Sequence, residues 1–447
     1  MKIAFLTDNY MENKASLDPW RSSLLADFAR VADQILYVQV SDFLSHDGQF
    51  INDWNEDVFL SNLRDFKPDI VFSLNRAGLN LKTLNAISGS KVISWYIDNP
   101  NRFSNHLLNL ASGEDVYCAT KYMSNWWSQK GCVQPLYLPF CTSVEAFRKR
   151  PVQNDPLRAI DVSYVGTLWD PSVLPKFINK YATSDQDLRF LFDQLIQYES
   201  DYDFPVAQNL NQYFGLPMKL NSIKNMIDDF ISSQKRLRVL QALSCFSLEI
   251  YGTASTWPGY LYMMSPQLFS SFRFSAINTN EQLSELYHRS RCCISIAHHQ
   301  AQSGFPIRVF DIMASGTPLL SDRHSELSEL FEENEMYLGF GTAEEAKDKL
   351  RYVIENKAAS ERIAERAFQE VASKHTFSSR VSQILNRPVD DGKKVAFRSL
   401  SKTFDWSCFK ASAGLSGDFS AMEMPEEVEQ NLQKKTHSKK WRFWRHG

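Results

Sequence analysis

Short apolar runs separated by helical patterns recur along most of this 447-residue chain, and that alternation limits the fold more than any other feature. Residues 3–6, 35–40, 70–74, 92–97 and 116–119 each read as a buried strand, with a helical pattern over about 22–32 between the first two. Strands fed by intervening helices pair in parallel, and such sheets need helices on both faces. The same alternation resumes at residues 161–167. It returns at 248–252, 293–297 and 318–321, after a mainly helical stretch over about 174–243, and helical periodicity recurs at 350–354 and 363–372. The expectation is an α/β chain of two Rossmann-like domains, 1–150 and 151–390, joined by the proline-bounded polar segment 151–156. Ligands of open α/β sheets lie outside the carboxyl ends of the strands, so two sheets facing each other across a cleft would let two substrates meet.

Composition removes several other classes. An apolar share of 43% is ample for two hydrophobic cores. With 49 basic against 52 acidic side chains, no chain-wide nucleic-acid footprint is expected. The seven cysteines stand at 118, 132, 141, 245, 292, 293 and 408, none in CxxC spacing, which reads as reduced thiols in a cytoplasmic protein. Asp8 interrupts the first apolar run before it reaches signal-peptide length, and no stretch approaches the roughly 20 apolar residues of a spanning helix.

The most informative segment runs from Ser303 to Asp322 and reads as loop, short helix and buried strand. Gly304 permits close backbone approach, Pro306 suits a first helical turn, Gly316 lies where a left-handed cap belongs, and Pro318 stops the helix. A helix opening at this glycine presents amide groups and a positive dipole end to an anion such as a diphosphate. Arg308 adds a cation in the first turn. Asp311 follows roughly 7 Å along the axis from the helix start, about the distance from a diphosphate to its ribose. The alternative is that Arg308 and Asp311, three residues apart, simply pair on one helix face.

These residues carry a family resemblance. The chain resembles the GT-B glycosyltransferases and, within them, the CgeB-like (spore-maturation-type) branch of the group 1 transferases. In the second half the likeness rests on Val162-Ser163-Tyr164-Val165-Gly166, Leu248-Glu249-Ile250-Tyr251-Gly252, the run from Ser303 to Asp311, and Lys374-His375-Thr376-Phe377-Ser378-Ser379-Arg380. In the first half it rests on Trp95-Tyr96-Ile97-Asp98-Asn99-Pro100. It covers about residues 1–388. The resemblance implies a nucleoside-diphosphate-sugar donor held mainly by the second domain, with Gly166 and Thr167 beside the diphosphate or sugar and Gly304, Arg308 and Asp311 at the nucleotide. Many group 1 transferases have two glutamates eight residues apart; here those positions are Ser303 and Asp311, so the first has no acid. A non-catalytic relative that binds a sugar nucleotide or serves as a scaffold is therefore the alternative to a glycosyltransferase.

His298 follows a buried strand, where it would touch a phosphate or donate a proton, or cap a loop. An inverting transfer needs a base for the acceptor hydroxyl. Asp98, at a strand end, is the first candidate and Asp8 the second, while Asp98-Asn99-Pro100 also suits a plain turn. His, Cys and Asp do not recur at metal-ligand spacing, so the expected transfer uses no bound metal or other cofactor, and helix amides with Arg308 neutralise the leaving group. No Gly-Xaa-Ser-Xaa-Gly elbow or Walker loop is present. Residues 391–447 read as a flexible tail whose basic, tryptophan-bearing end at 434–447 suits an anionic membrane surface, a protein partner or plain solvent. The acceptor, whether glycan, protein or small molecule, is left open.

Overall fold

The computed structural model describes residues 1–8, 18–45, 48–100, 108–132, 134–147, 159–252, 257, 259–260, 264–275, 277, 279–390, 392–401, 409, 415 and 417–421. The linker 151–156 and the basic end 434–447 lie outside the described residues. In chain order the strands are β1 (Lys2–Thr7), β2 (Gln34–Gln39), β3 (Ile70–Leu74), β4 (Lys91–Tyr96), β5 (Asp115–Cys118), β6 (Leu136–Tyr137), β7 (Ile160–Val165), β8 (Leu248–Tyr251), β9 (Phe272–Arg273), β10 (Ser290–Ser295), β11 (Leu319–Asp322), β12 (Leu338–Phe340), β13 (Ala396–Leu400) and β14 (Phe419–Ala421). Two compact units result, Met1–Ile93 with Val389–Gly447, and Ser94–Pro388. No helix among the described residues is long and apolar enough to cross a membrane.

In the first unit the order is β14-β13-β2-β1-β3. Ile3 pairs in parallel with Ile35 on one side and Ile70 on the other. β1 is buried without alternation from Ile3 to Thr7, as a parallel strand covered on both faces should be. One face packs the rings of Phe5, Phe28 and Phe72, with centroids 4.4–5.4 Å apart. The other packs Leu6, Val38 and Val71 with Phe59 and Leu63 of the helix Asp53–Phe66.

The expected tail supplies two strands to this sheet: β13 runs parallel to β2, pairing Phe397 with Ile35, and β14 runs parallel to β13. Arg398 breaks the apolar run of β13, and the three residues of β14 are too few to show a period. Residues 94–147 are tied to the rest of the second unit by polar contacts. Thr142 Oγ1 donates to Asp311 Oδ1 at 2.6 Å, the Lys121 amide donates to Glu326 at 2.7 Å, and Arg380 donates to the carbonyls of Pro139 and Phe140 at 2.7 and 3.1 Å.

The second unit is built on a six-stranded sheet ordered β12-β11-β10-β7-β8-β9, every adjacent pair parallel. Counted from β7, the chain steps outward through β8 and β9, returns to place β10 on the other side of β7, and continues through β11 and β12. That is the 3-2-1-4-5-6 order of nucleotide-binding sheets, and its switch point lies between β7 and β10. The β7–β8 crossover carries four helices, Val173–Tyr181, Asp185–Ser200, Val206–Phe214 and Leu220–Leu243. They have a core of their own around Leu191, Leu195, Leu210, Ile223 and Ile227. The end of the last helix packs Leu237, Leu240 and Leu243 onto the sheet beside Tyr164 and Ile250.

A glycine fixes the end of β8. A Cβ on Gly252 would lie 2.1 Å from Trp257 Nε1 and 2.3 Å from the Gly166 carbonyl, the two groups that hydrogen-bond at 3.1 Å. Gly252→Ala should therefore destabilise the protein by about 1–3 kcal/mol. The urea midpoint reads this directly, and an unchanged midpoint would mean that the indole has room to move.

Candidate functional site

The switch point places the ends of β7 and β10 side by side, and one side chain joins them. Arg236, from the helix Leu220–Leu243, donates from Nη1 to the Thr167 carbonyl at 2.6 Å. From Nη2 it donates to the Ile296 carbonyl at 3.1 Å. Its guanidinium also lies 4.7 Å from the ring centre of Trp169. Arg236 is 8% exposed, and the groups that hold it are neutral carbonyls and an aromatic ring, so its charge is not cancelled by them. A second cation comes from Arg308, at the start of the helix Arg308–Ala314. Burial pushes the Tyr164 phenol up, while Arg236 and Arg308 both pull it down; the two guanidinium groups thus act on one hydroxyl at the end of β7. Sequence reading missed Arg236 because it stands in a charged helical stretch, in sequence far from every strand end.

The loop before the second cation differs from expectation. The helix begins at Arg308 rather than at Gly304, and the Gly304 amide donates to the Ala301 carbonyl at 2.8 Å. This amide does not stand free for an anion. Gly304 is needed for packing, since a Cβ there would meet Thr120 Cγ2 at 2.3 Å. Gly166 likewise donates its amide to the Tyr251 carbonyl at 2.9 Å, and its Cβ would fall 2.2 Å from the Tyr164 hydroxyl. Gly316, with φ 68°, does occupy the left-handed cap position read from the sequence.

Asp311 accepts the Thr142 hydroxyl, and this hydrogen bond rather than an Arg308 pair orients its carboxylate. Arg308 Nη1 reaches the Tyr287 hydroxyl at 3.4 Å. His298 has both ring nitrogens in use: Nδ1 accepts from the Gln300 amide at 3.2 Å, which leaves the proton on Nε2, 3.2 Å from Asp229 Oδ1. That capping arrangement is the plainer of the two readings of His298, and the Trp169 ring packs edge-on against it at 4.5 Å. Asp98 lies in the same unit, next to Asn99, whose amide donates to the Gln300 carbonyl at 3.1 Å. The candidate base thus stands one residue from a direct tie to the 298–304 loop. Asp8, at the end of β1, belongs to the first unit. Among the described residues no group of three or more His, Cys, Asp or Glu side chains is arranged to hold a metal ion.

With this geometry in view, known proteins supply a frame. Residues 234–386, which include β8 and β10–β12, match a family model described as glycosyl transferase-like. No curated protein matches the chain in sequence. Among solved structures, a glycosyltransferase from Rickettsia africae is similar at 11% identity and TM-score 0.53, over 86% of this chain and 97% of that one. Sucrose-phosphate synthase from Thermosynechococcus elongatus is similar at 8% identity and TM-score 0.53, over 86% and 98%. The fold is GT-B. The residues that match the glycosyl transferase-like model, 234–386, contain Arg236, His298, Gly304, Arg308 and Asp311.

The Asp311 carboxyl titrates away from its ordinary value. Burial raises the Asp311 carboxyl to about 6, against the Thr142 hydrogen bond and the Arg308 charge, which lower it. Native Asp311 therefore holds a proton more tightly than the unfolded chain does. Stability should fall as pH rises from the ordinary carboxylate range to about 6, and this contribution is constant above it. Asp311→Asn should remove that loss. Urea midpoints for the two proteins at about pH 4 and about pH 6.5 test this, and parallel pH trends would dismiss the raised carboxyl.

Proposed function

We propose that this GT-B protein is a glycosyltransferase of the CgeB-like branch that takes a nucleoside-diphosphate sugar and needs no bound metal. The observation that carries the reading is Arg236, buried at the switch point of a nucleotide-type sheet between the Thr167 and Ile296 carbonyls, with Arg308 opening the helix that follows β10. Two cations held without a carboxylate on Arg236 suit a diphosphate, and a charge placed there before reaction stabilises the leaving group as its bond to the sugar breaks. Arg308 and Asp311 lie on one short helix, so a diphosphate at the first would bring the ribose toward the second. Thr167 lines the same strand end through its carbonyl. Gly166 and Gly304 shape the site by letting Tyr164 and Thr120 approach.

In this reading Asp98 accepts the proton of the acceptor hydroxyl while that oxygen bonds to the sugar carbon and the nucleoside diphosphate departs with the former bonding pair. Asp8 is the second candidate for that role. His298 serves to hold the 298–304 loop against Asp229. A cytoplasmic setting, with membrane contact through residues 434–447, belongs to the same proposal and rests on the scattered thiols and the basic, tryptophan-bearing end.

A thermal-shift panel of UDP, GDP, dTDP, ADP and CMP without added metal tests the donor site. A ligand at about 100 times its Kd should stabilise the native state by about 2.7 kcal/mol. Arg308→Ala should weaken the responding diphosphate about tenfold while leaving the free nucleoside nearly unchanged. Equal losses would remove Arg308 from the diphosphate, and a panel without a responder would favour a scaffold. Asp98→Asn should lower transfer by about 10²–10⁴-fold with donor affinity retained. Full activity in that variant would exclude Asp98 as the base.

A further inference from the structure

The 298–304 loop contains a backbone conformation that its own sequence does not favour. Gln302 has φ 50° and ψ −111°, a region costly for any residue with a Cβ. Such a conformation persists when its surroundings over-determine it. Here the surroundings come from the segment just after β11. His324 Nδ1 lies 2.8 Å from the Gln302 carbonyl, which can only accept, so Nδ1 carries a proton. His324 Nε2 lies 3.0 Å from Asp322 Oδ2, off the line of a good hydrogen bond, so the contact is chiefly one of charge. Glu326 grips the next residue: it accepts the Ser303 hydroxyl at 2.5 Å, and its amide donates to the Ser303 carbonyl at 3.1 Å. Gly304 then seats against Thr120.

We propose that His324, doubly protonated, is a positioning residue that clasps the 298–304 loop through Gln302, and that loss of its proton loosens the loop and weakens donor binding. The proposal rests on the donor-site reading above for its functional consequence, while the clasp itself stands on the loop geometry. Three elements face the imidazole: β11 with Asp322, the helix Leu220–Leu243 with Lys235, and the loop with the Gln302 carbonyl. Lys235 Nζ is 2.5 Å from the same Asp322 oxygen, and Asp322 also accepts the Ala297 amide at 3.1 Å. Burial disfavours the charged imidazole, but Asp322 and the Gln302 carbonyl outweigh burial and the opposing Lys235 charge, so His324 titrates above the ordinary histidine value. Its contribution is therefore complete below that ordinary value and is lost as pH rises through the raised one.

Hydrogen exchange of the whole chain, followed by mass spectrometry over residues 299–304, tests the clasp without a ligand. After correction for intrinsic rates, protection in the wild type should fall as pH rises through the raised histidine value, by the share of the histidine's elevation that the Gln302 carbonyl supplies, since Asp322 stays beside His324 when the loop opens. His324→Asn keeps one uncharged donor and should flatten that dependence. His324→Ala should leave the loop poorly protected throughout. Affinity for UDP, GDP, dTDP or ADP, whichever stabilises the protein, should fall in parallel in the wild type only. Flat wild-type protection as pH rises through that value, or an unchanged pH dependence in His324→Asn, would overturn the clasp even if a variant folds poorly. If exchange behaves as expected and no nucleotide binds at any pH, the clasp stands and the donor reading fails.

Discussion

The bridge from Arg236 to the carbonyls of Thr167 and Ile296 is the interaction on which the rest of the site depends. At a switch point the chain leaves two adjacent strands in opposite directions, and the carbonyls beyond their ends lose the partners that a continued sheet would supply. A buried carbonyl without a partner costs about 1–3 kcal/mol. Arg236 satisfies one on each strand with a single planar group, so the two ends keep a fixed separation. The same contact puts a positive charge at the crevice. Structure and chemistry share one residue here, and the long helix Leu220–Leu243 exists in part to deliver it.

The neighbouring charges are arranged so that this one is not neutralised. Asp322, at the end of β11, is occupied by Lys235, His324 and the Ala297 amide. These partners hold its carboxyl well below the usual range despite burial, so it stays ionised and stays engaged. Asp229 is taken up by His298. Carboxylates committed elsewhere leave Arg236 to its carbonyls and ring. A buried cation satisfied this way retains field at short range, which is what the leaving diphosphate of the proposed donor would require.

Much of the fold was legible in the sequence because parallel strands buried on both faces appear as unbroken apolar runs. Residues 70–74 are β3 without adjustment, and the other runs in 1–119 differ from β1, β2, β4 and β5 by a residue or two. The short edge strands β9, β12 and β14 carry too few residues to show a period, and Arg398 interrupts the apolar run of β13. The contacts that tie 94–147 to later residues were not legible either, because they are single contacts between residues far apart in sequence, such as Thr142 with Asp311 and Lys121 with Glu326. The short helix that carries Arg308 and Asp311 was readable from its place after a glycine-bearing loop. Arg236, Asp322, His324 and Glu326 were not, since a charged residue in a helix or just past a strand looks like solvent-facing surface until the fold buries it.

The glycines show how a correct signal can carry the wrong reason. Gly166 and Gly304 stand out in the sequence, and a glycine beside a strand end invites the reading that a ligand's phosphate lies against its backbone. Both amides are instead bonded within the chain, and the space where each Cβ would sit is filled by Tyr164 or Thr120. The glycines still mark the site, because the side chains they admit do the positioning. Tyr164 enters over Gly166 to lie within the fields of both arginines, and Thr120 enters over Gly304 to brace the loop that leads to Arg308. A side chain at either position would displace Tyr164 or Thr120. Loss of function on substituting these glycines would therefore arise from displaced neighbours, and would come with a loss of stability that a blocked phosphate contact alone would not produce.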